Sequence, residues 1–291
     1  MNTHESAQEQ VHKVIDTKAL FVEKNPALAA KLPAWVFALI RRISHEQELN
    51  EAIAGMSGLN EKDFITEALK RLEVQVLWHG SERLPQDSKY TLCANHPLGG
   101  LDGLALMQLI SLHTGSFLVT ANDLLMSIPQ LRGSMAGINK HGGNAAQVQA
   151  LDDMYASDRA VLVFPAGRTA RPRAFRLPDY AWSKSFVKLS RRYQRLIVPV
   201  HVSGRNSWRF YGIWVLRNIL GIKTNLEMFL LVDELFRKRG HTIHLTIGEA
   251  IRLPPAGTAA DDRKTAEALR CHVEKLGRNP DLHFCLEKSH D

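Results

Sequence analysis

At 291 residues, 45% hydrophobic and 23% charged, the chain has ordinary globular composition and length for a substantial core in one or two domains. Cys93, Cys271 and Cys285 are scattered, lack CxxC spacing and are odd in number, which excludes a disulfide framework and favours a reducing compartment. A polar N-terminus without signal-peptide character, and no apolar run near the ~20 residues a spanning helix needs, set aside secretion and membrane spanning, while a formal charge of +7 directs attention to anionic partners.

Taken in chain order, the first part reads as helices over 11–22, 26–42, 46–54 and 61–72, the last with Asn60 as N-cap and acidic residues in its first turn. Strand and helix signals then alternate. Strands are predicted over 74–78, 90–94, 116–121, 160–164, 196–202 and 241–247, and helices over 103–113, 145–155, 180–192, 226–238 and 259–276. The alternation predicts an α/β fold with a mixed, mostly buried sheet flanked by helices. Residues 1–72 form a helical N-terminal extension expected to pack on the α/β domain of residues 73–291.

Two glycine-rich turns follow buried strands. The first runs Cys93-Ala94-Asn95-His96-Pro97-Leu98-Gly99-Gly100-Leu101-Asp102-Gly103. A histidine on such a turn takes a proton from a hydroxyl when a nearby carboxylate fixes its tautomer and stabilises its charged form. No serine or cysteine nucleophile signature accompanies the pair, so a substrate hydroxyl is the expected target, and group transfer onto an alcohol the expected reaction. The structural alternative makes Asp102 a helix cap and His96 a turn residue.

The second turn is Phe164-Pro165-Ala166-Gly167-Arg168-Thr169-Ala170-Arg171, with Arg173 and Arg176 close behind. Backbone N–H groups at the carboxyl edge of a sheet, joined by guanidinium groups, suit phosphate or carboxylate recognition; the alternative is that these arginines coat the surface. Between the turns, residues 122–144 are glycine-rich and offer Arg132 and Lys140 as anion contacts, or form a long surface loop. Residues 159–195 hold ten basic side chains against Asp179 alone, a field that attracts phosphate.

Residues 205–223 interleave Arg205, Arg209, Arg217 and Lys223 with Trp208, Phe210, Tyr211 and Trp214, without an acid. That pattern fits a membrane interface, a helix packed under the sheet or, with less support, stacking on single-stranded nucleic acid. GxGxxG, GxxxxGK[ST], GxSxG and HExxH do not occur, and no metal is indicated.

In order, these blocks resemble the glycerolipid acyltransferase superfamily. The matching stretches are Asn95-His96…Asp102, Pro129…Gly137-Ile138-Asn139-Lys140, Phe164-Pro165-Ala166-Gly167 and Val198-Pro199-Val200, over roughly residues 75–250. Two departures stand out. Five residues separate His96 from Asp102 where the family has four, with Gly99 and Gly100 placed to absorb the insertion, and Ala166 replaces the family's glutamate. NHPLGGLDG, FPAG and VSGRNSWRFY are more similar to the haemolysin-related branch, whose members O-acylate the 3-hydroxy fatty acyl chain of lyso-ornithine or lyso-glycine lipids.

The resemblance implies His96 as general base, oriented by Asp102. Asn95, Lys140, Gly167, Arg168 and Arg171 would hold substrate, with amides near Gly167 facing the developing oxyanion. It further implies a lysolipid acceptor, an acyl carrier protein (acyl-ACP) or acyl-CoA thioester donor, no metal or bound cofactor, and a peripheral place on the inner, cytoplasmic face of the cytoplasmic membrane. Lysophosphatidate is the alternative acceptor. A reading of another class is a non-catalytic module that binds anionic lipid or nucleic acid through residues 159–195; under the enzyme reading no nucleic acid is expected.

Overall fold

A computed structural model of the chain describes residues 13–24, 26–120, 123–136, 144–172, 177–221 and 230–286. Five helices come first: α1 (Thr17–Lys24), α2 (Pro26–Ala29), α3 (Ala34–Ile43), α4 (Glu46–Ala54) and α5 (Glu61–Arg71). The α/β part follows as β1 (Gln75–His79), β2 (Tyr90–Ala94), α6 (Gly100–His113), β3 (Phe117–Thr120), α7 (Asp123–Met126), β4 (Met135–Ala136), α8 (Asn144–Ala156) and β5 (Ala160–Val163). It ends with α9 (Ser185–Arg192), β6 (Leu196–Val202), α10 (Trp208–Ile219), α11 (Leu230–Arg237), β7 (Thr242–Ile247) and α12 (Ala259–Leu276).

Among the described residues the strands form one seven-stranded sheet in the order β1-β7-β6-β2-β5-β3-β4. Neighbours are parallel except β6 and β7, so the sheet is mixed and covered on both faces. Alternation along β2 shows why. Tyr90, Leu92 and Ala94 enter the core shared with α5 and α6, whereas Cys93 faces Met154, Phe186 and Leu269 of α8, α9 and α12. The N-terminal helices join the first of these cores through Ile53, Phe64, Ile65 and Leu69. After β2 the chain passes to β3 on one side, and after β5 it crosses β2 to reach β6 on the other. The carboxyl end of β2 therefore opens into the crevice where such sheets collect ligands.

Several expectations need correction. The helix over 26–42 divides, because Pro33 stands extended (φ −69°, ψ 157°) ahead of α3 and has no N–H to continue a helical ladder. The helix over 180–192 contracts to α9, since Asp179 and Trp182 line a cavity instead. Residues 11–12 and 226–229, parts of the helices predicted over 11–22 and 226–238, lie outside the described residues, and residues 13–16 of the first are not helical.

The basic stretch is also less of an anion field than its composition suggests. Arg195 is buried and donates to the carbonyls of Tyr155, Ser157 and Tyr90 at 2.9, 2.7 and 3.0 Å. Arg191 pairs with Asp262 at 3.1 Å and Arg192 with Asp152 at 2.9 Å, while Arg159 donates to Gly133 O at 2.9 Å. Arg191 and Arg192 tie α9 to α12 and α8, while Arg159 and Arg195 bind the starts of β5 and β6 to neighbouring turns. All four are structural cations.

Candidate active site

His96 leaves the carboxyl end of β2, and Asp102 sits in the first turn of α6. Their side chains meet, with His96 Nδ1 3.0 Å from Asp102 Oδ2. The same Oδ2 accepts the N–H groups of Leu98 at 2.8 Å and Gly99 at 3.0 Å. Cap and orienting carboxylate are thus one group, and the two readings of Asp102 are compatible. Gly99 (φ 87°, ψ −126°) turns the chain so that five intervening residues still close the pair. A Cβ there would lie 3.1 Å from Leu231 and 3.3 Å from Thr169.

Burial pushes the Asp102 carboxyl upward, and the hydrogen bonds from His96, Leu98 and Gly99 oppose it. Asp102 is fully enclosed while the His96 side chain keeps 18% exposure, so the carboxylate is shielded and the imidazole is reachable. Donating Nδ1–H to Asp102 leaves Nε2 with the lone pair that takes a proton. Cys93 is no rival nucleophile, because burial inside the sheet pushes its thiol upward.

The second glycine turn packs onto the first. Phe164 stacks on the His96 ring with centroids 4.2 Å apart, and Ala170 N–H donates to His96 O at 2.9 Å. From the other side, Asn95 clamps β6: its Nδ2 donates to Val202 O at 2.9 Å and its Oδ1 accepts Val202 N–H at 2.7 Å. Asn95, expected to touch substrate, fixes the strand end that carries His96 and also lines a cavity beside it.

The other expected binding residues separate. Gly167 (φ 67°) donates its N–H to Phe164 O at 2.9 Å, so that amide closes the turn and does not face an oxyanion. Arg171 is buried over the Phe210 ring and donates to Thr169 O at 2.8 Å, a brace between the turn and α10. Arg168 is exposed, with its guanidinium 4.8 Å from the Tyr180 ring centroid. Lys140, Arg173 and Arg176 lie outside the described residues.

Beside Asn95 and Pro97 is a cavity of about 120 Å³, walled by Asp179, Trp182, His201, Tyr211, Arg270 and Glu274 among others. Asp179 was not predicted as a site residue; its one signal was being the lone acid in a basic run. Trp182 Nε1 donates to Asp179 Oδ2 at 2.9 Å, Oδ1 is buried with no hydrogen-bond partner among the described residues, and burial, opposed by Trp182 and His96, pushes the carboxyl up to about 6.

That upward shift fixes a sign. The buried acid favours the folded state when protonated, below its unfolded value near 3.8, and this contribution is lost as pH rises through about 6. Asp179→Asn, which can still accept from Trp182, is therefore expected to stabilise the protein by about 1–3 kcal/mol at pH 8 and hardly at all at pH 4. Melting curves at both values check this; an equal gain at pH 4 and pH 8 contradicts it.

Comparison with known proteins gives four similarities. An acyltransferase family model matches residues 19–281. A lyso-glycine lipid O-acyltransferase of Phocaeicola vulgatus is 33% identical over 253 residues, covering 84% of this chain and 91% of that protein. One of the same description from Bacteroides thetaiotaomicron is 32% identical over 265 residues, covering 90% and 97%. The crystal structure of the 1-acyl-sn-glycerophosphate acyltransferase PlsC from Thermotoga maritima aligns with TM-score 0.47 and 14% identity, over 89% of this chain and 93% of that one.

Proposed function

The chain belongs to the acyltransferase family, and from that premise we propose that it moves a fatty acyl chain from a thioester donor to a lysolipid hydroxyl, with His96 as general base. The acceptor O–H donates to His96 Nε2, and its oxygen attacks the thioester carbonyl as the proton passes to the imidazole. Collapse of the tetrahedral intermediate breaks the C–S bond, and the imidazolium returns the proton to the departing thiolate. Asp102 holds the productive tautomer and stabilises the imidazolium between these steps. The observation that carries this reading is the 3.0 Å contact between His96 Nδ1 and a fully enclosed Asp102, beneath an imidazole still open to solvent.

Within this reaction the favoured acceptor is the 3-hydroxy group on the acyl chain of a lyso-aminolipid. Two relatives described as lyso-glycine lipid O-acyltransferases match over most of the chain, and Ala166 stands in place of a glutamate of the lysophosphatidate-type block. Arg168 would meet the anionic head group, a role its exposure at the rim of the second turn supports. The donor is acyl-ACP or acyl-CoA. No helix among the described residues is long and apolar enough to cross a membrane, and the proposed location is peripheral, on the inner face of the cytoplasmic membrane.

Purified protein offered N-(3-hydroxyacyl)glycine and lysophosphatidate, each with acyl-ACP or acyl-CoA, is expected to esterify the first acceptor. Turnover confined to lysophosphatidate, or growth rescue of a host lacking lysophosphatidate acyltransferase, reverses the acceptor assignment.

A further inference from the structure

The α10 helix is apolar on two sides. Phe210 and Tyr211 are buried against Leu230 and Leu231 of α11 and Ile43 of α3. Its outward face nevertheless carries Trp208, Val215, Leu216 and Ile219, spaced i, i+7, i+8 and i+11 and so aligned along one stripe, with Leu220 just beyond its end. Trp208 is 67% exposed and Ile219 75%. Scattered surface hydrophobes are ordinary, but a large apolar stripe along one helix marks a surface that something covers.

Charge indicates what covers it. No Asp or Glu occurs from Arg205 to Lys223. Arg205, exposed just before the helix, lies 4.8 Å from the Trp208 ring centroid, a cation joined to an amphipathic ring at one end of the stripe. Position supports the same occupant. The buried side of α10 reaches the two turns that frame His96, with Tyr211 lining the cavity beside Asn95 and Pro97 and Phe210 beneath the Arg171 guanidinium.

We infer that the outward face of α10 docks on an anionic lipid bilayer, Trp208, Leu216 and Ile219 entering the acyl boundary while Arg205 meets lipid phosphate. The inference rests on the lipid-substrate reading above and adds the surface by which the protein meets that substrate's phase. A helix lying in the interface draws on buried apolar area and on attraction between basic residues and acidic head groups. Binding therefore requires both and weakens with salt.

Flotation of the full chain with phosphatidylglycerol/phosphatidylethanolamine vesicles, against phosphatidylcholine vesicles, tests it. The double variant Leu216→Glu with Ile219→Glu, both outward and away from the reacting groups, is expected to lose at least about tenfold in binding to anionic vesicles while melting normally. Its turnover on lysolipid dispersed in detergent micelles should match the unaltered chain, and turnover on vesicle-embedded lysolipid should fall. Trp208→Phe should remove part of the tryptophan quenching caused by lipids with brominated chains. Unchanged vesicle binding in the double variant overturns the inference. So does loss of binding in Trp35→Glu alone, which would place docking on α3. A dimer that the double variant splits, with vesicles recruiting neither form, makes a second copy the occupant and also overturns it. Variant-sensitive vesicle binding without any micellar turnover supports the docking face and counts against the catalytic reading instead.

Discussion

His96→Ala is expected to slow acyl transfer about 10²–10⁴-fold while the protein stays folded. The base acts only as the acceptor O–H bond breaks, so kcat and kcat/KM should fall together, with KM for the acceptor little changed. Without the ring Asp102 loses one donor but keeps the N–H groups of Leu98 and Gly99, and the partly exposed imidazole otherwise stacks on Phe164. Losing that contact costs about 0.5–1.5 kcal/mol. Steady-state kinetics with a labelled acyl donor, beside a melting curve, separate the two effects. Turnover by His96→Ala at the unaltered rate ends the general-base mechanism. An unaltered protein that binds lipid yet turns over no donor would favour the non-catalytic module.

The parts of this architecture that lie in regular, buried elements were readable from residue order. β6 coincides with the predicted strand, and β2 and α12 do as well, because buried β-branched runs and a capped 18-residue amphipathic helix announce themselves locally. The pairing of His96 with Asp102 could be anticipated from the glycine turn, though not the manner of closure. That depends on Gly99 at positive φ and on two backbone N–H groups sharing the carboxylate with the imidazole.

What escaped was set by tertiary partners. Arginine is arginine in a sequence, yet Arg191 and Arg195 serve carboxylate and carbonyls inside the protein while Arg168 faces solvent. Asn95 reads as a motif residue but clamps Val202, 107 positions away. Asp179 matters through its burial in the cavity wall, which depends on tertiary packing even though its donor Trp182 is only three residues on. Composition located the charge; only packing shows which charges are committed.

The same shared carboxylate makes Asp102 the most informative single position. Asp102→Ala removes the group that orients His96 and strands two buried N–H donors, those of Leu98 and Gly99. Each such donor costs about 1–3 kcal/mol when unpaired. A melting drop on the order of 5–10 °C is expected, together with a loss in turnover of roughly 10²–10⁴-fold. Asp102→Asn should behave differently. Its amide oxygen can take the place of Oδ2 and still accept from Leu98, Gly99 and His96 Nδ1, while its NH₂ occupies the position of Oδ1, which has no hydrogen-bond partner among the described residues. The opposite flip would aim NH₂ at two backbone N–H groups, so the helix cap itself pins the amide in the orientation that preserves the productive tautomer. Only the negative charge opposite the imidazolium is lost. A charge-assisted hydrogen bond is stronger than a neutral one by about 1–2 kcal/mol, which corresponds to roughly 5–30-fold in rate. Turnover is therefore expected to rank unaltered protein, Asn and Ala in descending order, with clear gaps at both steps. Asn falling as far as Ala would show that the tautomer is not held by the cap. Full turnover in Ala would reduce Asp102 to a helix cap alone.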